Sequence, residues 1–259
     1  MATIIYPSPI FGPIHSRRLG VSLGVNLQPG DGKVCSFDCI YCECGFNADH
    51  RPHSPRPTRK QVAEALEETL TRMKADGGHL DVITFAGNGE PTGHPDFAAI
   101  IDDTIALRDR HFPEAKVSVL TNSTFAHRPD IHDAHMNVDN NIMKRDTIDD
   151  DYIRILDRPA SPSYRAKDII STIASFHGHA IVQTMFMKGN TGGRDVDNTT
   201  DRFVNPWLEA LRRIAPHEVM IYTIDRETPD HGLLKATHEE LNNIRDRVAA
   251  MGIECTASY

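Results

Sequence analysis

Apolar runs of six to nine residues recur along the chain, each separated from the next by an amphipathic or polar stretch. SLGVNL (22–27), LDVITFAG (80–87), KVSVLTN (116–122), NVDNNIMK (137–144), HAIVQTMFM (179–187) and EVMIYTID (218–225) read as strands, and GIECTAS as a last short one. Between them the spacing turns helical. Thr58 to Gln61 is a capping-box pattern, followed by Val62, Leu66, Leu70 and Met73 at helical intervals and closed by Gly77-Gly78. Helices are expected near 95–110, in a short piece before 137, near 149–156 and 166–176, and near 202–214. A second capping box, Thr237 to Glu240, opens one running to about Met251. Strands alternating with helices imply parallel pairing, in a barrel or a doubly wound sheet of six or seven βα units. No linker or low-complexity tract divides the chain. One domain over 1–259 is expected, with a core of about 20–256 and a Pro- and Gly-rich extension over 1–19.

Composition narrows the class. Of 259 residues, 39% are hydrophobic and 25% charged, as in ordinary soluble proteins, and the length suffices for a sizeable core. The net charge of −8 gives no general pull toward nucleic acid or an anionic membrane. The first residues lack the charged start and apolar run of a secretory signal, and no stretch approaches the roughly 18 apolar residues of a membrane span. Five cysteines, mostly clustered and unsuited to a disulfide framework, fit a reducing compartment, so a cytoplasmic protein is expected. Arg51, Arg56, Arg59 and Lys60 make the most basic stretch, read as a solvated loop or a small anion patch. Arg17 and Arg18 read as ion pairs at a barrel entrance or as substrate contacts.

The chemistry concentrates in CSFDCIYC. Cys35, Cys39 and Cys42 put three thiols on one short loop, as a shared metal or cluster requires. A [4Fe–4S] cube on three thiolates leaves one iron open to a non-protein ligand. Structural zinc would need a fourth ligand, and Cys44 is the nearest. The next strand ends in FAGNGEPT, and the following ones in TNS, in Lys144-Arg145-Asp146, in Gln183-Thr184 and in Asp225-Arg226. In a βα barrel these would share one rim, at the C-terminal ends of the strands. The loop over 189–200, with its glycines, reads as a lid or a disordered segment. No HExxH occurs among the fourteen histidines, and His15 and His94 read as solvated loop residues.

The CxxxCxxC loop with Tyr41 before its third cysteine, joined to Gly87-Asn88-Gly89-Glu90-Pro91 one strand later, resembles the radical S-adenosylmethionine (SAM) superfamily. FGPIHSRRLGVSLGVNL, TNS, KRD, ILDRP, VQTMFMKG and YTIDR are similar to its wyosine-synthase-like branch of iron–sulfur oxidoreductases. The resemblance implies a partial (β/α)6 TIM-like barrel with a [4Fe–4S] cluster on Cys35, Cys39 and Cys42. It implies SAM on the open iron, cleaved to a 5′-deoxyadenosyl radical that takes a hydrogen atom from a substrate. Gly87, Asn88 and Gly89 would meet the methionine end of SAM. Glu90 would accept from its ammonium or hold the loop. Asn122, Asp146 and Gln183 would meet ribose or carboxylate, and Tyr41 would order the cluster loop and approach the adenine. An electron donor such as flavodoxin or ferredoxin is implied.

Other classes remain beside this one. tRNA modification of the wyosine type is disfavoured by the acidic charge. A non-catalytic metal or cluster carrier would keep the cysteines without the radical. Activation of a glycyl-radical partner would use the same cysteine spacing, but the additional cysteine sets typical of such activating enzymes are missing.

Overall fold

The computed structural model describes residues 3–16 and 18–259, so Arg17 lies outside the described residues. The main sheet has eight strands. β1 (Ile10–Ser16) runs antiparallel to β2 (Gly20–Val25) at one edge. From β2 onward every neighbour is parallel: β3 (Val82–Phe85), β4 (Lys116–Thr121), β5 (Asn140–Lys144) and β6 (Ile181–Met185). The series ends in β9 (Glu218–Tyr222) and β11 (Glu254–Ser258). These parallel strands follow one another in chain order, with no reversal point. A doubly wound sheet reverses its order part-way, so the alternative left open by the hydrophobic pattern resolves to a barrel. The sheet curls without closing, since β1 and β11 are its two edges.

The helices expected from periodicity form where the sequence places them. They are α1 (Arg59–Ala75), α2 (Phe97–His111), α3 (Pro129–Asn137), α4 (Asp150–Leu156), α5 (Ala166–Ala174), α6 (Asp201–Ile214) and α7 (His238–Ala249). Both capping boxes are made, with Thr58 and Thr237 accepting from the amides of Gln61 and Glu240 and the glutamine and glutamate side chains reaching back. One apolar layer packs α1, α2 and α3 on β2 to β4, through Leu66, Phe85, Phe97 and Val119. A second packs α5, α6 and α7 on β5, β6, β9 and β11, through Ile173, Val182, Trp207 and Leu241. Two layers on the sheet's outer face leave its inner face and upper rim for function.

Two segments differ from the sequence reading. The 189–200 stretch is ordered: β7 (Met187–Thr191) and β8 (Arg194–Asp195) form a hairpin, extended by β10 (Leu233–Lys235). Gly192 and Gly193, at φ of 55° and 78°, supply the two left-handed positions of a tight hairpin turn. The Pro- and Gly-rich N-terminal extension carries a strand, β1, whose Phe11 packs beside Gly24 on β2.

Candidate functional site

The cysteine loop has no regular secondary structure, so side chains and neighbouring backbone fix its path. Lys33 is buried and donates to the carbonyl of Gly45 at 2.5 Å, with Asp38 at 3.4 Å. Asp38 accepts from the amide of Asn47 at 2.7 Å, and the Asn47 side chain accepts from the amide of Cys35 at 3.1 Å. The amides of Asp38 and Ile40 donate to the carbonyls of Asp157 and Leu156, both at 2.9 Å. The ILDRP segment therefore serves as a shelf under the loop.

All three thiols are buried or half-buried and influence one another electrostatically. Burial, with Glu90 beside it, pushes Cys35 up to about 12, and burial holds Cys39 well above its ordinary value. Cys42 is drawn down to about 6, first by a hydrogen bond with the Cys44 thiol and then by Lys33. Burial works against the Lys33 charge, but the three thiols and Asp38 prevail and raise it. The amide of Phe37 and the Asn122 side chain point at the Cys35 sulfur, at 3.4 and 3.7 Å. Thiolates supported by N–H donors and a buried cation suit an anionic cluster, whose potential such groups set. Among the described residues no three His, Cys, Asp or Glu side chains close on a single-ion position. A cube, with a separate iron for each thiolate, does not require them to. Cys44 is buried and hydrogen-bonds the Gly87 carbonyl at 3.4 Å.

The Gly87–Glu90 segment is strapped against this loop. Val34 and Gly89 form a parallel bridge, with the Val34 amide donating to the Asn88 carbonyl at 2.9 Å. Gly87 and Gly89 sit at φ of 123° and 136°, and a Cβ at Gly89 would lie 2.0 Å from the Val34 carbonyl oxygen. Only glycine permits that approach. The Asn88 side chain points away, pinning Tyr6 and the Pro29 carbonyl. Glu90 is buried and fully engaged, accepting from Thr92, from the Thr121 hydroxyl at 2.7 Å and from the Asn122 amide at 2.7 Å. Of the two roles considered for Glu90, holding the loop is the one with visible partners. Asn122 donates to Ser36 at 2.8 Å. Asp146 is occupied as well: its carboxylate meets Lys144, the Tyr41 hydroxyl and, at 3.0 Å, the Met185 amide. Lys144 also reaches Asp157 at 2.7 Å and lies over the Tyr41 ring.

Beside these groups the barrel encloses a cavity of about 450 Å³. Its lining includes Tyr41, Cys42, Cys44, Gly87, Gly89, Gln183 and Met185, together with Arg18, Glu43, Tyr222 and Asp225 to Thr228. Of the residues expected to hold the cluster or SAM, Tyr41, Cys42, Gly87, Gly89 and Gln183 line the open space. Asn88, Glu90, Asn122 and Asp146 stand behind it. Lys33 stands in no motif, and Tyr222 and the Leu156-Asp157 shelf fall in the YTIDR and ILDRP segments without a role legible there, because their roles depend on chain brought in from elsewhere. Arg18 lies over the Tyr222 ring at 4.5 Å in place of the expected ion pair. His94 is buried and bonded to the Pro57 carbonyl, unlike the solvated residue expected. In the basic stretch Arg59 pairs with Asp103 and Lys60 with Glu64, which cancels much of an anion patch.

A family model for the radical SAM superfamily matches residues 31–194, which contain the cysteine loop, the Gly87–Glu90 strap and strands β3 to β6. The chain belongs to the radical SAM superfamily. A UPF0026 protein of Methanocaldococcus jannaschii is 31% identical over 185 residues, 68% of this chain and 53% of that protein. A UPF0026 protein of Helicobacter pylori is 26% identical over 220 residues, 84% of this chain and 66% of that protein. The chain thus spans between half and two thirds of these relatives. In fold it resembles a radical SAM methyltransferase from Sphaerobacter thermophilus, with a TM-score of 0.66 and 18% identity over 92% of this chain and 66% of that one. It also resembles TYW1 with a lysine–pyruvate adduct bound, with a TM-score of 0.61 and 13% identity over 88% of this chain and 73% of that one. Membership of the superfamily implies a [4Fe–4S] cluster, SAM and radical chemistry. No helix among the described residues is long and apolar enough to cross a membrane.

Proposed function

We propose that this radical SAM protein is an enzyme that holds its cluster on Cys35, Cys39 and Cys42, binds SAM in the adjoining cavity and admits a substrate through the cavity mouth. The observation that carries this reading is a cavity wall on which Cys42 meets the glycine strap, with Cys35, Cys39 and the buried Lys33 on the same loop behind it. Cys35, Cys39 and Cys42 would hold the cluster, which would supply the single electron for reductive cleavage of SAM and so the hydrogen-abstracting chemistry.

The chain's own residues bind, orient and shield. Gly87 and Gly89, without side chains, leave room at the wall next to Cys42, where the amino-acid end of SAM would lie. Tyr41 and Gln183 line the same space and suit contact with the nucleoside. Asn88, Glu90, Asn122 and Asp146 act as positioning residues: the first two hold the strap, Asn122 orients Ser36 and Cys35, and Asp146 fixes Lys144 and Tyr41. Leu120, Met185 and Ile224 make part of the lining apolar, which helps keep a reactive site dry.

We read the chain as one radical SAM core, supplied with electrons by a flavodoxin- or ferredoxin-type donor. Its five free cysteines suit the cytoplasm. The acidic charge and the paired Arg59 and Lys60 favour a substrate other than nucleic acid. Anaerobic reconstitution followed by metal and sulfide analysis tests the reading: about four irons per chain with matching sulfide are expected for one such cube. Zinc without sulfide would mean a structural site and no radical chemistry.

A further inference from the structure

We propose that Arg18 anchors an anionic group of the substrate, a carboxylate or a phosphate, in the cavity beside Tyr222. The inference deepens the proposed function and rests on it for the identity of the occupant. Among the other charges of the lining, Glu43, Arg226 and Asp225 are already engaged. Arg226 pairs with Glu43 at 2.6 Å and donates to the Tyr6 hydroxyl at 2.8 Å, and Asp225 lies 4.0 Å from Lys235. Arg18 differs. Its guanidinium carbon is 4.5 Å from the centre of the Tyr222 ring, and its Nη1 is buried with no hydrogen-bond partner.

A guanidinium stays charged, donates only, and presents a planar fork that matches a carboxylate or a phosphate. A desolvated nitrogen of this kind lowers its free energy when an anion arrives. The ring of Tyr222 attracts the cation through its face. The backbone that carries Arg18 is fixed by Ser16, whose hydroxyl accepts from the amides of Arg18 and Leu19 at 3.3 and 3.2 Å. The arginine is therefore held in place before anything binds. The Tyr222 ring also feels the charges of Asp146, Lys144 and Cys39. An anion on Arg18 would thus be tethered close to the cluster wall, with the rest of the substrate free to reach the nucleoside end of SAM. The amino-acid end of SAM, which the proposed function places at the wall next to Cys42, does not require this arginine.

The test is calorimetric titration of inorganic phosphate and, separately, of acetate into the reconstituted, SAM-loaded protein. Wild type is expected to bind at least one of the two. Arg18→Gln should weaken that binding at least tenfold, Arg18→Lys should restore part of it, and Arg226→Gln should change it less than twofold. Phosphate binding without acetate would assign a phosphate, and the converse a carboxylate. Absence of binding by wild type, equal affinity in Arg18→Gln, or loss confined to Arg226→Gln would overturn the proposal. An equal fall in SAM affinity in Arg18→Gln would overturn it too, by moving the arginine to the cofactor. Reductive SAM cleavage by the same wild-type preparation reads the radical function separately: anion binding without cleavage would refute that function and leave the anion site standing.

Discussion

Behind the cavity wall almost every polar side chain is already paired within the protein, whereas the lining itself carries exposed charges and a desolvated arginine. Glu90 accepts from three residues, Asp146 from three more, and Asn88 from and to the N-terminal segment. In the lining Asp225, Arg226 and Glu227 are exposed, and the Nη1 of Arg18 is unpartnered. A rigid backing suits a cofactor whose reactive bond must sit in one place, because small displacements cost large factors in rate. A lining with unmet donors suits a ligand supplied from outside. The two layers should therefore respond differently to mutation.

The largest effect is expected from the thiols. Cys39→Ala should drop bound iron from about four per chain to well below half of that, because three ligands are the minimum the loop offers. Cys44→Ala, which removes a hydrogen bond to Cys42 and no ligand, should keep most of the iron. Iron analysis after anaerobic reconstitution separates them, and equal losses would make Cys44 a ligand. Gly89→Ala comes next. The added Cβ would strike the Val34 carbonyl at 2.0 Å in a backbone conformation with φ of 136°. A loss of about 2–4 kcal/mol in denaturant unfolding is expected, together with poorer iron retention as the strap lifts off the cysteine loop.

His135 supplies the counter-case of an unpartnered polar side chain far from the cavity. It is buried against Phe97 and Phe176 with Asn141 beside it, neither ring nitrogen makes a hydrogen bond of good geometry, and burial outweighs Asn141 to push its pKa down to about 3. A depressed histidine gives stability that is present above its unfolded value near 6.5 and is lost as pH falls toward about 3. At pH 5 the loss from this group should be about 2 kcal/mol. The difference between wild type and His135→Phe, followed by urea unfolding from pH 7 to 5, should shrink or reverse by that amount. A pH-independent difference would mean that the ring is hydrated. The smallest effect is in the lining: Arg226→Gln breaks an ion pair with partners 48% and 41% exposed, and should cost less than about 1 kcal/mol.

Legibility in the sequence follows the same division. The helices, both capping boxes and the parallel strands were readable because each is set by local period and local caps, as in Thr58–Gln61 and Val62 to Met73. β1 was not, since two prolines and a glycine in and around IFGPIHS hide its alternation. The β7–β8 hairpin was announced by Gly192-Gly193, but the polar composition of the stretch obscured it. At the site, Cys35, Cys39 and Cys42 stand out by spacing, and the Gly87–Glu90 strap by its place one strand after them. What spacing does not carry is which side chains face inward. Asn88 and Asp146 lie at the expected strand ends, yet their side chains are consumed by Tyr6, Pro29, Lys144 and Tyr41. Lys33 and Asp157 matter only because the fold lays one segment over another.

The central claim is that the three thiols and the adjoining cavity together perform reductive SAM cleavage. The direct measurement is anaerobic incubation of the reconstituted wild-type protein with SAM and dithionite, followed by chromatography of the products. Equal amounts of methionine and 5′-deoxyadenosine, appearing only with reductant, are the expected result. A fully loaded cluster that yields neither product would contradict the account.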